Sequence, residues 1–160
     1  MAETVHLFLK LNGTDIQGES SQTSLGRANS IECTSWAWSG ERELTSAGTT
    51  GRHVMGEIKF VQRIDKSTPL LLKGMVNNEV AEGTFKFFRP NPTGDGTTEQ
   101  FFTVHGRQGR ITSHSPWVPD TISPATSSMP ALLQVTMLFA QLELTYENGG
   151  ITFDWTTTAP

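Results

Sequence analysis

A mainly β, single-domain protein with one short helix is predicted by three observations. Apolar and polar residues alternate with a period of two over most of the chain, Asn-Gly pairs follow two of these runs, and a helix-period apolar stripe follows the Thr68-Pro69 step. The length of 160 residues suits one domain, 1–160, large enough to bury an ordinary core without disulfide staples.

The first strand is read from Val5, Leu7, Leu9 and Leu11, which alternate with His6, Phe8 and Lys10 before Asn12-Gly13 supplies a turn. In the next strand, IECTSWAWS from Ile31 to Ser39, alternation places Trp36 and Trp38 toward the interior and Cys33, Ser35, Ala37 and Ser39 on the other side. The stretch Gly40 to Arg52, GERELTSAGTTGR, is too long for a tight hairpin turn and is expected to project as a loop. Its Glu41, Arg42, Glu43 and Arg52 mix both signs of charge in a way suited to charge-complementary docking. Further strands are expected over Glu57 to Arg63 and Thr84 to Arg89.

Between them lies RIDKSTPLLL, where a lysine beside an aspartate, a serine and a threonine could be catalytic or structural. The structural reading explains more residues. Thr68 suits a helix N-cap, Pro69 has the fixed φ of a first helical position, and Leu71, Leu72, Met75 and Val76 form one apolar stripe. Asn77 and Asn78 tolerate the left-handed conformation that ends helices, so a helix is expected over about residues 69–77. Pro90 to Glu99 is turn-rich, and Ser113 to Pro130 holds four of the eight prolines, which argues against a central strand or a helix there. Near the end, Leu138, Ala140, Leu142, Leu144 and Tyr146 alternate against Phe139, Gln141, Glu143 and Thr145. Asn148-Gly149 then announces a hairpin into ITFDWTT.

Composition narrows the function. A net charge of -4 repels phosphate backbones and anionic membrane surfaces, so neither nucleic acid nor membrane insertion is expected. The N-terminus lacks a basic segment followed by a continuous apolar one, which points to a cytoplasmic start without a cleaved signal, and no window reaches the ~18 apolar residues of a spanning helix. The single cysteine, Cys33, has no intrachain partner and reads as a packing residue. His6, His53, His105 and His114 show no metal-ligand spacing, and no glycine-rich stretch closes with the Lys-Ser/Thr of a nucleotide loop, so no cofactor and no metal are expected. Lys66 beside Asp65 at a helix entrance reads as solvated or ion-paired, and His105, Arg107 and Arg110 as a solvated strand face. Catalysis by Glu57, Asp65 or His105 is the weakest alternative. Ligand stacking on Trp36, Trp38, Trp117 or Trp155, as in a carbohydrate-binding β-module, is another, weighed against tryptophans that pack the core.

Four stretches in order, IQGES, the WAW of the second strand, IDKSTPLLL and LFAQLELTY, resemble the haemolysin-coregulated protein (Hcp) family, the tube proteins of bacterial type VI secretion. The resemblance spans nearly the whole chain, with longer loops at 90–99 and 113–130 than the family usually has. It implies a small β-barrel of two antiparallel sheets with a helix at its side, acting without catalysis as a subunit of stacked hexameric rings. Such a tube is made in the cytoplasm, sheathed by a contractile sleeve, tipped by a spike protein and exported without a signal peptide, carrying effectors in its lumen. On this reading Ser35, Ala37 and Ser39 line the lumen, and Asp65, Lys66, Ser67, Thr68 and Pro69 form the family motif at the helix start. A phage-like tail tube is the closest alternative in role.

Overall fold

The computed structural model describes residues 3–157. The first strand, β1 (Thr4–Leu11), turns at Asn12 and Gly13, both at positive φ, into the short β2 (Thr14–Ile16). That second strand is too short to leave an alternation in the sequence. There follow β3 (Ile31–Ala37), β4 (Gly40–Leu44), β5 (Thr50–Met55), β6 (Ile58–Arg63), the helix α1 (Thr68–Val76), β7 (Ala81–Pro90), β8 (Thr98–Trp117), β9 (Leu132–Tyr146) and β10 (Ile151–Thr156). Neighbours pair antiparallel in the order β9-β6-β3-β1-β7-β8, and β8 pairs back to β9, closing a barrel. β2 extends β1, β10 extends β9, and β4-β5 form a separate small sheet. The fold is the mainly β barrel with one helix that the sequence implies.

Inward positions from every barrel strand fill the interior: Leu7 and Leu9, Ile31, Phe60, Phe85, Val104, and Leu133, Val135 and Met137 are all essentially inaccessible. Phe60 and Phe85 meet edge to face with centroids 5.7 Å apart, and Trp36 joins Phe85 at 6.0 Å. Gly106 and Gly109 of β8 make room for Phe139. A Cβ on either would lie 2.5 Å from that ring.

Four expectations are corrected. First, the pairing of β3 with β6 shifts between Cys33 and Ser35, so one extra residue resets the alternation. Cys33 therefore faces inward with Trp36, not outward with Ser35 and Ala37. Second, Gly40 to Arg52 is not a loop but most of a hairpin, β4 paired to β5 through Gly40↔Met55 and Arg42↔His53. Its turn is closed by the Thr45 N–H donating to Thr49 at 2.8 Å, with Gly48 at positive φ. Because nearly every side chain on both its faces is exposed, it carries no apolar alternation to read. Third, β8 runs on through Ser113–Trp117. Beyond Gly109 it pairs only with β9, so Pro116 sits on a locally free edge where its missing N–H costs nothing.

Fourth, the N-cap position is Ser67, with Thr68 and Pro69 inside the first turn. The face of α1 that packs is Leu71, Gly74 and Met75, while Leu72 and Val76 stay exposed. Gly74 lets the helix approach so closely that an added Cβ would lie 2.7 Å from Leu11. The far end behaves as expected, with Asn78 in the left-handed region at φ 49 and the N–H groups of Asn78 and Glu79 donating to Met75 and Gly74. On β9 Phe139 points inward and Leu138 outward, and Leu142 is the next buried position.

Candidate functional site

The outer wall of the barrel carries two cross-strand rows. Pairing aligns Ser35 with Val61, Gln134 and Ser115, and Ala37 with Lys59, Thr136 and Ser113. The rows are dominated by small or polar side chains, and Thr136 is tied into the wall by hydrogen bonds of 2.7 Å to Thr112 and 2.6 Å to Ser113. Ser35, Ala37 and Ser39 are exposed, Ser39 just beyond the end of β3.

Glu41, Arg42, Glu43 and Arg52 all lie exposed on the β4-β5 hairpin. They do not pair with one another. Arg42 instead donates to the carbonyl of Gly51 at 2.9 Å, and the ion pairs among the described residues are Arg89–Glu99 and His105–Glu82.

Asp65 ties two of the sequence stretches together. Its Oδ2 accepts from the Glu19 N–H at 3.2 Å, and its Oδ1 accepts from the Ser67 N–H at 2.8 Å, the Ser67 hydroxyl and the Gln62 amide at 3.2 Å. The Asp65 N–H in turn donates to Thr68 Oγ1 at 3.1 Å, and Ser67 and Gln62 are fully buried. The motif is thus a polar knot that fixes the helix entrance against the barrel, with Lys66 and Pro69 exposed at its rim. Gly18 of the IQGES stretch is required nearby, since a Cβ there would lie 2.7 Å from the Ser30 carbonyl oxygen. Asp65→Ala strands the N–H and hydroxyl of buried Ser67, while the Gln62 amide keeps Ser67 Oγ and the Arg63 carbonyl, and is expected to cost about 1–3 kcal/mol. Chemical denaturation, with an unchanged m-value, checks it.

Sequence reading missed His6. It lies on the outer side of β1 yet is buried beneath the segment 17–30, with Arg27 held 4.7 Å over the Phe88 ring beside it. Ser30 gives its hydroxyl proton to the Arg27 carbonyl at 2.7 Å, so Nδ1–H of His6 donates to Ser30 at 3.0 Å and Nε2 is left a bare, buried acceptor. Burial lowers the pKa of His6 from 6.5, aided by Arg27 and opposed by Glu32. The unfolded chain therefore takes up this proton first as pH falls, and stability is lost on acidification below about 6.5 until the folded-state value is passed. Melting temperatures measured across this range are expected to fall less steeply for His6→Asn than for the unaltered chain. Burial likewise pushes the Cys33 thiol well up, reinforced by Glu32, which keeps it an unreactive packing group.

The geometry speaks against the catalytic and ligand-stacking alternatives. Glu57 and Asp65 line different clefts, and His105 lines a third and pairs with Glu82 at 2.9 Å. Trp36, Trp38 and Trp155 pack against the core, leaving Trp117 the most exposed of the four. Among the described residues no three His, Cys, Asp or Glu side chains gather as metal ligands, and no helix is long and apolar enough to cross a membrane.

One surface remains. Among the described residues β10 pairs only with β9, leaving its other edge open, and Ile151 and Phe153 on it are 70% and 69% exposed, next to exposed Tyr146. The described chain thus combines a closed barrel, a projecting hairpin and an exposed apolar strand.

Residues 8–146 match the family described as type VI secretion system effector, Hcp, and the chain belongs to that family. Its fold is similar to the Hcp1 protein from an E. coli pathovar, at 22% identity and a TM-score of 0.85 over 98% of this chain and 100% of that one. It is also similar to a crystal structure described as Hcp protein, at 19% identity and a TM-score of 0.87 over 99% and 100%. The secreted protein Hcp3 from Pseudomonas aeruginosa follows at 14% identity and a TM-score of 0.73 over 99% and 100%. At these identities the likeness is one of fold. No curated protein matches the chain in sequence.

Proposed function

We propose that this chain is a non-enzymatic tube subunit of a type VI secretion machine. Copies close head-to-tail into hexameric rings, the rings stack, and contraction of a surrounding sheath ejects the spike-tipped tube with effectors in its lumen. The subunit is made in the bacterial cytoplasm and leaves through the machine without a cleaved signal peptide. Family membership supports the setting. The observation that carries the ring is the open edge of β10, where Ile151 and Phe153 leave a bare apolar strip beside unpaired backbone groups. Such an edge is an aggregation hazard unless another copy covers it, and a different patch on that copy allows closure by rotation.

The two rows through Ser35 and Ala37 are the surface we assign to the lumen, with Ser39 at their margin. The small side chains of Ser35, Ala37, Ser113 and Ser115 leave space for cargo there, beside a cleft lined by Ala37, Ser39, Lys59 and Thr136. The β4-β5 hairpin, with Glu41, Arg42, Glu43 and Arg52 unpaired among themselves, is assigned to contact with a neighbouring subunit or the next ring. The Asp65–Pro69 motif serves the fold and not the contact.

Phe153→Glu tests the edge. A charge on an exposed side chain is expected to leave the melting temperature within a few degrees while dispersing rings to smaller species in sedimentation. Rings of undiminished mass in this variant would remove the edge from the interface.

A further inference from the structure

The β4-β5 hairpin meets the C-terminal hairpin through a side-chain pair whose hydrogen bond has only one chemical direction. The indole N–H of Trp155 donates to Nε2 of His53 at 2.9 Å, and the rings stand edge to face with centroids 6.1 Å apart. An indole nitrogen only donates, so Nε2 must be the bare nitrogen, and the imidazole is neutral while this bond exists. A protonated imidazole has no lone pair to offer. The contact links residues 102 positions apart and lies outside the strand pairing of either hairpin.

Arg42 is the cross-strand partner of His53, Arg52 precedes it on β5, and Arg110 of β8 lines the cleft between the hairpin and the barrel. The rest of that cleft is uncharged: Gln108 from β8, Leu138, Phe139 and Ala140 from β9, Trp155 and Thr157. The nearby carboxylates stand at alternate strand positions. Glu41 is opposite Val54, Glu43 follows Arg42, and Asp154 pairs with Glu143 on the side of β10 away from Trp155. A proton gained by His53 would therefore break its bond to Trp155.

We propose that His53 and Trp155 form a proton-released latch, which docks the β4-β5 hairpin on the C-terminal hairpin when His53 is neutral and lets it swing free as an arm when His53 is protonated. The latch is a property of the single subunit and stands whether or not that arm contacts another copy. Its geometry also predicts which substitutions separate the bond from the proton. His53→Phe keeps a ring but removes the acceptor, and His53→Gln keeps an acceptor but has no proton to gain.

Fluorine NMR of the full chain carrying 5-fluorotryptophan tests this, with the Trp155 signal assigned by Trp155→Phe. Between about pH 7.5 and about pH 5, the range in which imidazoles titrate, the Trp155 signal is expected to move along a single-proton curve. It should approach the position that His53→Phe shows throughout, and its solvent-isotope shift should rise as the indole becomes exposed. His53→Gln should give a signal that does not change with pH. A Trp155 signal that stays still in the unaltered chain, that coincides with His53→Phe at the upper pH, or that titrates equally in His53→Gln would overturn the latch.

Discussion

Gly106→Val is expected to leave little folded protein, although it adds only three carbon atoms. The new Cβ would lie 2.5 Å from the ring of Phe139, itself only 3% exposed and packed in the core. Neither side can yield cheaply, because Gly106 is a backbone position in a strand paired on both sides, to Gly83 of β7 and Leu142 of β9. Overpacking in a close-packed interior costs about 1–3 kcal/mol, and a β-branched residue driven into an aromatic ring belongs at or above the upper end. The cause can be isolated. Adding Phe139→Ala to Gly106→Val opens the space, so the pair should be less destabilised than the sum of the two single changes, as a double-mutant cycle in denaturant would report. Strict additivity would mean that the ring is not what the glycine accommodates.

Phe60→Ala should cost about 3–5 kcal/mol, through lost transfer energy and the cavity left behind. Phe60 lies on β6 with no accessible surface, between β3 and β9, and its ring meets Phe85 across the barrel. Phe60→Leu, which refills most of the volume, should recover much of that loss. Thermal melts of the two variants decide it, and equal melting points would show that the barrel centre is not close-packed around this ring. These two changes test the barrel as a packed object, which any assembly of it presupposes.

Much of that barrel was legible because burial on one face writes a period of two into a strand. Leu7, Leu9 and Leu11 announce β1 in this way, and Asn148-Gly149 announces the turn into β10 because few other residues accept positive φ so readily. What was misread has a physical cause. Alternation assumes that each residue adds one step, and the bulge near Cys33 adds a residue without a step, so Cys33 changed sides while Trp36 did not. On β9 alternation alone does not say which set faces inward, and it is Phe139, seated over Gly106 and Gly109, that does.

The candidate surfaces were less legible than the core. Ser35 and Ala37 were found because a strand puts them opposite Trp36, yet their continuation through Val61, Gln134 and Ser115, and through Lys59, Thr136 and Ser113, depends on pairings between distant segments. The hairpin was taken for a loop because an arm exposed on both faces has no apolar side to display. Asp65 was marked as part of a motif, but its acceptance of the Glu19 N–H, 46 positions away, is a tertiary fact. The exposed strip of β10 was hidden for another reason. The hairpin signal places Ile151 and Phe153 on a strand but does not say whether anything covers them, and in the described chain both are exposed.

The central claim is that this barrel is made to meet copies of itself, and native mass spectrometry of the purified full chain, paired with negative-stain imaging, tests it most directly. A subunit of 17.6 kDa that closes into hexameric rings should appear as a single hexameric mass and as hollow rings, retained at moderate salt because apolar and backbone contacts outlast charge screening. A monomeric mass at micromolar concentration in low and high salt alike, with no rings in the images, would contradict the account.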